Sequence, residues 1–233
     1  MKKIALFIAV AMLSQMAVAQ SLKTIVSPRE NLEVTIFVNN WGVPGYYVMM
    51  AGDTLIADSQ LGLKYSGSEA TGHVVDKANY RWMQTDSTSN KIYNEMVVTL
   101  NQPYKGVLKV YARAYDNAVA IKQSYKVDGA EKVFLQDDNT CIYFAKNTMI
   151  GDIPIDSLKE FSLPAEFTLN GGKKVVVSSE AKDGYPQIYL TSIGEIENML
   201  KLSLKPMYEG NDHIKLVLPA SFETPYVMME VKE

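Results

Sequence analysis

The sequence predicts an all-β fold, a large two-sheet antiparallel β-sandwich made by residues 20–233. Three observations carry that reading. Past residue 20 the apolar side chains alternate with period two, which places them on one face of a pleated strand. Clusters of Gly, Asn and Asp punctuate the alternating runs. No long stretch repeats with the 3.6-residue period of an amphipathic helix. About a dozen strands in one chain without a linker suit a single sandwich whose two inner faces dry each other.

Taken in order, the first element is not a strand. Lys2 and Lys3 precede the apolar run Ile4 to Val18, and Ala17 and Ala19 put small residues at positions −3 and −1 before Gln20. A basic start, a short apolar centre and small residues at the end predict a secretory signal peptide over residues 1–19, hence an exported chain, periplasmic or secreted. A run of about 15 apolar residues falls short of the roughly 20 that span a bilayer, so no membrane attachment is expected after cleavage. Leu32 to Val38 gives the first clear alternation. Tyr46–Ala51, Met96–Leu100, Val107–Tyr115, Val119–Val127 and Cys141–Ala145 follow as strands. Lys173–Ser178, Gln187–Thr191, Lys201–Lys205, His213–Leu218 and Tyr226–Val231 complete the set. Asn39 to Gly42, Asp128-Gly129, Asn170 to Gly172, Asp183-Gly184 and Gly210 to Asp212 are the turns between them. Ile193–Leu200 is the one segment expected to make a helical turn or two.

Charge and composition narrow the chemistry. The chain has 23 basic and 26 acidic residues, a net charge of −3. Without Lys2 and Lys3 the balance is 21 − 26 = −5. A mildly acidic chain without a basic stripe is a poor nucleic-acid binder, so no nucleic-acid partner is expected. The single cysteine, Cys141, excludes an internal disulfide and a Cys/His zinc site. The sequence holds no P-loop, GxGxxG, HExxH or GxSxG motif. The two histidines, His73 and His213, have no nucleophile beside them and read as loop or strand-edge residues. Asp137-Asp138-Asn139 lacks the spacing and the glycine of an EF-hand loop and reads as a solvated turn. Trp41 and Trp82 are large aromatics beside turns, able to stack on a sugar ring or to pack over the turn.

Short motifs in the same order along the chain carry a resemblance. Ser27 to Thr35, then Gly45-Tyr46-Tyr47-Val48 and Ser59 to Leu63, look like the opening of glycoside hydrolase family 97. Tyr93 to Leu100 is similar to that family's "YNE-L-x-V-x-L", and Val110 to Ala120 to its "R-x-F-(D/N)-D-G-(L/V)-A" hairpin. Ser179 to Leu190 resembles "(T/S)-E-A-x-L-x-D-Y-P-G-M-x-L", and Thr224 to Met229 sits where the family has "T-P-W-R".

The resemblance implies the family's N-terminal domain, a β-supersandwich of the galactose-mutarotase type. In the family the Thr-Pro-Trp-Arg segment leads into a (β/α)₈ barrel that carries the two catalytic carboxylates, and glycoside hydrolysis needs such a pair. Here the sequence given ends at Glu233, so no catalytic residue is expected in it. The resemblance also implies that Glu180 stands where the family reaches from the sandwich to an active-site calcium ion. One carboxylate against an ion that takes six to eight oxygens makes a weak calcium site at most, and Gly184 replaces the Asp of the family pattern before Tyr185.

The expected function is that of an exported, non-catalytic, carbohydrate-associated module. Trp41, Trp82, Tyr185 and Tyr189 are its candidate sugar-stacking residues, and a polysaccharide or oligosaccharide is its candidate partner. A second expected partner is a protein docked where the family's barrel would sit. The alternative is an enzyme component, either mutarotase-like or a hydrolase completed by a separately encoded barrel. Export has its own test: Edman sequencing of the protein recovered from its native host should begin at Gln20, and a mature chain beginning at Met1 would overturn the signal peptide.

Overall fold

In the computed structural model, which describes residues 22–65, 73–102, 106–145, 147–157, 159–194, 196–207 and 216–232, the alternating runs become strands. The first nine are β1 (Lys23–Val26), β2 (Leu32–Val38), β3 (Pro44–Met50), β4 (Asp53–Gln60), β5 (Leu63–Tyr65), β6 (Val74–Thr85), β7 (Ile92–Gln102), β8 (Gly106–Tyr115) and β9 (Ala118–Val127). Then come β10 (Lys132–Asp138), β11 (Cys141–Tyr143), β12 (Thr148–Ile150), β13 (Ile153–Pro154), β14 (Glu160–Ser162) and β15 (Ala165–Leu169). The last six are β16 (Lys174–Ser179), β17 (Ile188–Ser192), β18 (Met199–Leu204), β19 (Leu216–Pro219), β20 (Ser221–Glu223) and β21 (Val227–Lys232). The signal segment and His213 lie outside the described residues.

One layer is a ten-stranded antiparallel sheet in the order β13-β12-β15-β16-β21-β9-β8-β7-β6, with β20 also paired to β9. The other layer is assembled from smaller sheets, β1-β2-β3-β4, β11-β18-β17-β14 and β19-β10-β5. A bridge between Ile56 of β4 and Phe144 just past β11 joins the two four-stranded sheets edge to edge. The Ala145 N–H reinforces it by donating to the Leu55 carbonyl at 3.3 Å. Two layers of antiparallel strands are the predicted sandwich.

Strand parity explains the core. Along β7 and β8 the inward set is Met96, Val98 and Leu100 with Leu108, Val110, Ala112 and Ala114, all fully buried. They belong to one core with Ile25, Val34, Ile36 and Val48 of the smaller layer. Farther along, Phe167 of β15 lies 5.3 Å from the Phe144 ring and 5.7 Å from the Phe161 ring, centroid to centroid. Those two rings belong to the opposite layer, so this trio pins the two layers together where their strands are shortest.

The structure changes several expectations. Ile193–Leu200 is not helical: it is the β17–β18 connection, closed by Ile193 N–H donating to the Met199 carbonyl at 3.2 Å. An eight-residue helix has too little internal hydrogen bonding to compete with a strand ladder that already holds both of its ends. Asn198, at φ 60°, makes the turn in a left-handed conformation that asparagine tolerates. Strand β6, twelve residues long, shows no period-two pattern because it is an edge strand exposed on both faces, with bulges between Val75 and Lys77 and between Arg81 and Gln84.

Phe167→Ala tests the cross-layer pin. Truncating a fully buried phenyl is expected to lower unfolding stability by about 3–5 kcal/mol in urea titration. A loss below about 1 kcal/mol would mean that the two layers close without the aromatic trio.

Candidate functional site

The residues around Glu180 meet at one rim of the sandwich. Strand β16 ends at Ser179, and the ladder with β21 extends one step further, since the Glu180 N–H donates to the Tyr226 carbonyl at 3.0 Å. A four-residue turn follows, closed by Tyr185 N–H to the Lys182 carbonyl at 3.0 Å. Gly184 occupies its third position at φ 73°, a conformation that favours glycine because any Cβ is strained there. The turn folds back over β17 and opens a cleft of about 330 Å³ lined by Glu180, Lys182, Tyr185 and Gln187 over an apolar floor of Leu163, Ile188 and Pro225.

The polar groups of the cleft are held differently. The Glu180 side chain is exposed and makes no hydrogen bond or ion pair among the described residues. The Lys182 Nζ donates to the Glu223 carbonyl at 2.6 Å, and burial lowers its pKa against the opposing pull of the Glu223 carboxylate. Tyr185 packs against the main core with a buried hydroxyl that has no partner among the described residues. Burial, with the Asp138 charge behind it, pushes that hydroxyl's pKa well up.

Of the expected site residues, Glu180 and Tyr185 share this cleft. The others lie elsewhere. Tyr189 follows Ile188 on β17 and therefore points to the opposite face. Trp41 is 80% exposed on the β2–β3 turn. Trp82 is on β6, its ring parallel to that of Tyr80 within 6° and 5.8 Å away. No common platform unites the four aromatics.

The metal reading does not fit the donor set. Among the described residues no three His, Cys, Asp or Glu side chains gather to hold an ion. Glu180 is the single carboxylate lining the cleft, against the six to eight oxygens of a calcium shell. The Asp137–Asn139 segment is not a solvated turn either. Asp137 closes β10, accepting from Lys201 Nζ at 2.6 Å and from the Leu204 N–H at 3.1 Å. Asp138 is buried beside a small, mostly apolar cavity of about 20 Å³ and accepts from the Thr140 N–H at 2.9 Å. His73 is buried, with its N–H donating to the Gly42 carbonyl at 3.1 Å and its pKa lowered by burial.

A second cluster, absent from the sequence reading, lies on the outer face of the ten-stranded sheet. The Arg113 guanidinium sits 4.1 Å from the Tyr226 ring centroid and 4.6 Å from that of Tyr93. It donates to Glu95 at 3.1 Å, and Arg81 approaches the same carboxylate at 3.5 Å. The turn at 86–90 caps this cluster: Asp86 accepts from the Thr88 and Ser89 N–H groups at 2.9 Å and from the Tyr115 hydroxyl at 3.0 Å. The signal was present in the Val107–Tyr115 alternation, whose polar set faces outward, but pairing across strands is not written in one strand.

A family profile described as Glycosyl-hydrolase 97 N-terminal matches residues 25–230. Among solved structures, a glycoside hydrolase family 97 enzyme from Pseudoalteromonas sp. strain K8, determined with acarbose and with panose, aligns at TM-score 0.77 and 18% identity. That alignment covers 91% of this chain and 36% of the enzyme. A β-arabinopyranosidase aligns at TM-score 0.72 and 22% identity, over 90% of this chain and 40% of that one. A protein of Synechocystis sp. PCC 6803 aligns at TM-score 0.51 and 10% identity, over 90% and 96% of the two chains. No curated protein matches. These likenesses are of fold, and the chain spans about two-fifths or less of the length of the enzymes.

Asp138 gives a pH test of the interior beside the cleft. Burial pushes its carboxyl up to about 7, against the Thr140 hydrogen bonds that pull it down. The folded state therefore holds the proton more tightly than the unfolded chain, and this group's contribution to stability falls as pH rises from about 4 to about 7. Asp138→Asn should flatten that part of the curve relative to the parent protein. Identical slopes in parent and variant by urea titration across that range would refute a protonated Asp138.

Proposed function

Because the chain belongs to the glycosyl-hydrolase 97 N-terminal family, we propose that it is a carbohydrate-associated β-sandwich that presents the Glu180 cleft to a glycan. The observation that carries this reading is the composition of the cleft. A carboxylate, an amide and an ammonium stand over a floor of Leu163, Ile188 and Pro225. Sugar sites combine convergent polar groups with an apolar surface for the ring. The role is binding rather than bond cleavage, since hydrolysis takes two carboxylates about 5–10 Å apart across the scissile bond and the cleft supplies Glu180 alone. Export belongs to the same proposal and rests on Lys2, Lys3 and the apolar run to Val18.

A second reading has one specific support. Glu180 is exposed at the rim with no partner among the described residues, which suits a carboxylate completed by a neighbouring domain, such as a barrel encoded in the same protein or beside it. In that arrangement the sandwich contributes one side of an active site and the partner contributes the reacting groups.

Affinity gels and calorimetry with malto-oligosaccharides and α-galactosides test the first reading. Binding is expected to weaken about tenfold or more in Glu180→Gln if the carboxylate accepts sugar hydroxyls, because a charge-assisted hydrogen bond contributes about 1.5–3 kcal/mol. Gln187→Ala should weaken it less. Uniform absence of binding across both glycan classes would sink the cleft as a sugar site.

A further inference from the structure

We infer that the outer face of β6, β7 and β8 carries a second binding groove, separate from the Glu180 cleft, for an acidic oligosaccharide built of uronic acid units. This goes beyond the preceding proposal and shares with it only the class of ligand, a sugar.

The groove has a volume of about 430 Å³. Its construction follows from strand register. Lys77 of β6 pairs with Thr99 of β7, and Thr99 pairs with Lys109 of β8, so the two lysines stand in one row on either side of a hydroxyl. Their Cα atoms are about 10 Å apart at ordinary strand spacing. The next row is Asn79, Val97 and Tyr111. Thr99 and Val97 are 5% and 9% exposed although no second sheet among the described residues covers this face. The flanking side chains form walls and these two form the floor.

The groove carries an excess of positive charge, with Lys77, Arg81 and Lys109 against Asp76. Neither Lys77 nor Lys109 has a carboxylate partner among the described residues, and Asp76 is the one carboxylate in the lining. Glu95, the nearest other acid on β7, is already engaged by Arg81 and Arg113. Two lysines in one row of the groove raise the local positive potential, which an anion seated between them would lower. In a chain of net charge −3 this is a local reversal of sign.

The rest of the lining selects a sugar acid over other anions. Asn79 and Thr99 offer donors and acceptors to ring hydroxyls, and Val97 offers an apolar floor. The Lys122 Nζ sits 4.5 Å over the Tyr111 ring. Tyr111 lines the groove, while Lys122 does not. Hydroxyl-reading groups beside a ring face suit a pyranose, and two lysines placed farther apart than a single ring suit carboxylates on a chain of them. An acidic peptide would use the lysines but not the amide, the hydroxyl and the tyrosine together.

Isothermal titration calorimetry of the purified chain with tetragalacturonate, maltotetraose and tetraglutamate decides the matter. Tetragalacturonate is expected to bind, to weaken as salt rises from about 20 mM to about 300 mM, and to lose at least tenfold in affinity in the Lys77→Gln, Lys109→Gln double variant. Both lysines are exposed, so the double variant should keep the parent melting temperature. Asn79→Ala should weaken tetragalacturonate by a few-fold, and Glu180→Gln should leave it unchanged. No heat with tetragalacturonate at low salt, parental affinity in the double variant, or equal affinity for tetraglutamate would each overturn the groove. Loss of malto-oligosaccharide binding with tetragalacturonate binding intact would remove the Glu180 proposal and leave this one standing.

Discussion

A ten-stranded sheet has two faces, and everything else in this protein follows from which of them is dried. The inward residues of β7, β8 and β9 are mostly apolar, and no α-helix is available among the described residues to cover them. The cover is assembled from pieces: two four-stranded sheets that become one layer through the Ile56–Phe144 bridge, and a three-stranded sheet beside them. A sheet buried on one face needs a partner of comparable width, and neither four-stranded piece alone has it. The bridge between β4 and β11 is therefore a small contact with a large consequence. It lets Ile25, Val34, Leu190 and Leu202 belong to one core although they come from sheets far apart in sequence.

Strand ends pay for that continuity. Where β16, β17 and β21 stop at the rim, the chain must turn while keeping its backbone groups bonded, and the Lys182–Tyr185 turn does so with Gly184 in the left-handed region. Loops placed in this way are free to vary without disturbing the layers, so the polar residues of the cleft sit on the turn and its flanks rather than in the sheet. Inside the layers polar groups are tolerated only in bonded chains. The Tyr125 hydroxyl donates to Gln123, and Gln123 donates to Thr140, whose N–H in turn donates to Asp138. A buried carboxyl inside such a chain is less costly protonated than charged, which is the physical origin of its raised pKa.

The fold class was legible because alternation is a local property. Leu32–Val38 and Val107–Tyr115 each announce their own two faces. Lys132–Asp138 and Ala165–Leu169 also escaped the sequence reading although each has an alternating buried face, whereas other missed strands have no dry face to declare. Strand β6 is wet on both sides, and Ile153–Pro154 is two residues long. Glu180 and Tyr185 were legible as neighbours because only a short turn separates them. Tyr189 lies one step of strand parity away, on the opposite face of β17, and Trp82 lies on a far edge that sequence spacing does not reveal. The Arg113–Glu95–Arg81 row was invisible for a different reason: its three members come from three strands, and they meet only through the registers of β6–β7 and β7–β8.

The outer face poses a choice between two physical roles for its charges. Exposed sheet faces and edges are commonly covered with lysine to prevent association, and β6 already carries that protection in its two bulges and in Met83, held at φ 53°. Protective charges gain nothing from order, so they are expected scattered and, across neighbouring strands, paired with opposite sign, since like charges directly opposite are destabilising. The row next to the groove follows that rule, with Glu95 between Arg81 and Arg113. The Lys77–Thr99–Lys109 row has no carboxylate between its two cations and sets a hydroxyl there instead. Two rows of one sheet face, separated by the Asn79–Val97–Tyr111 row, thus treat charge in opposite ways, one neutralised internally and one left to be neutralised from outside, and a general need for solubility does not distinguish between them.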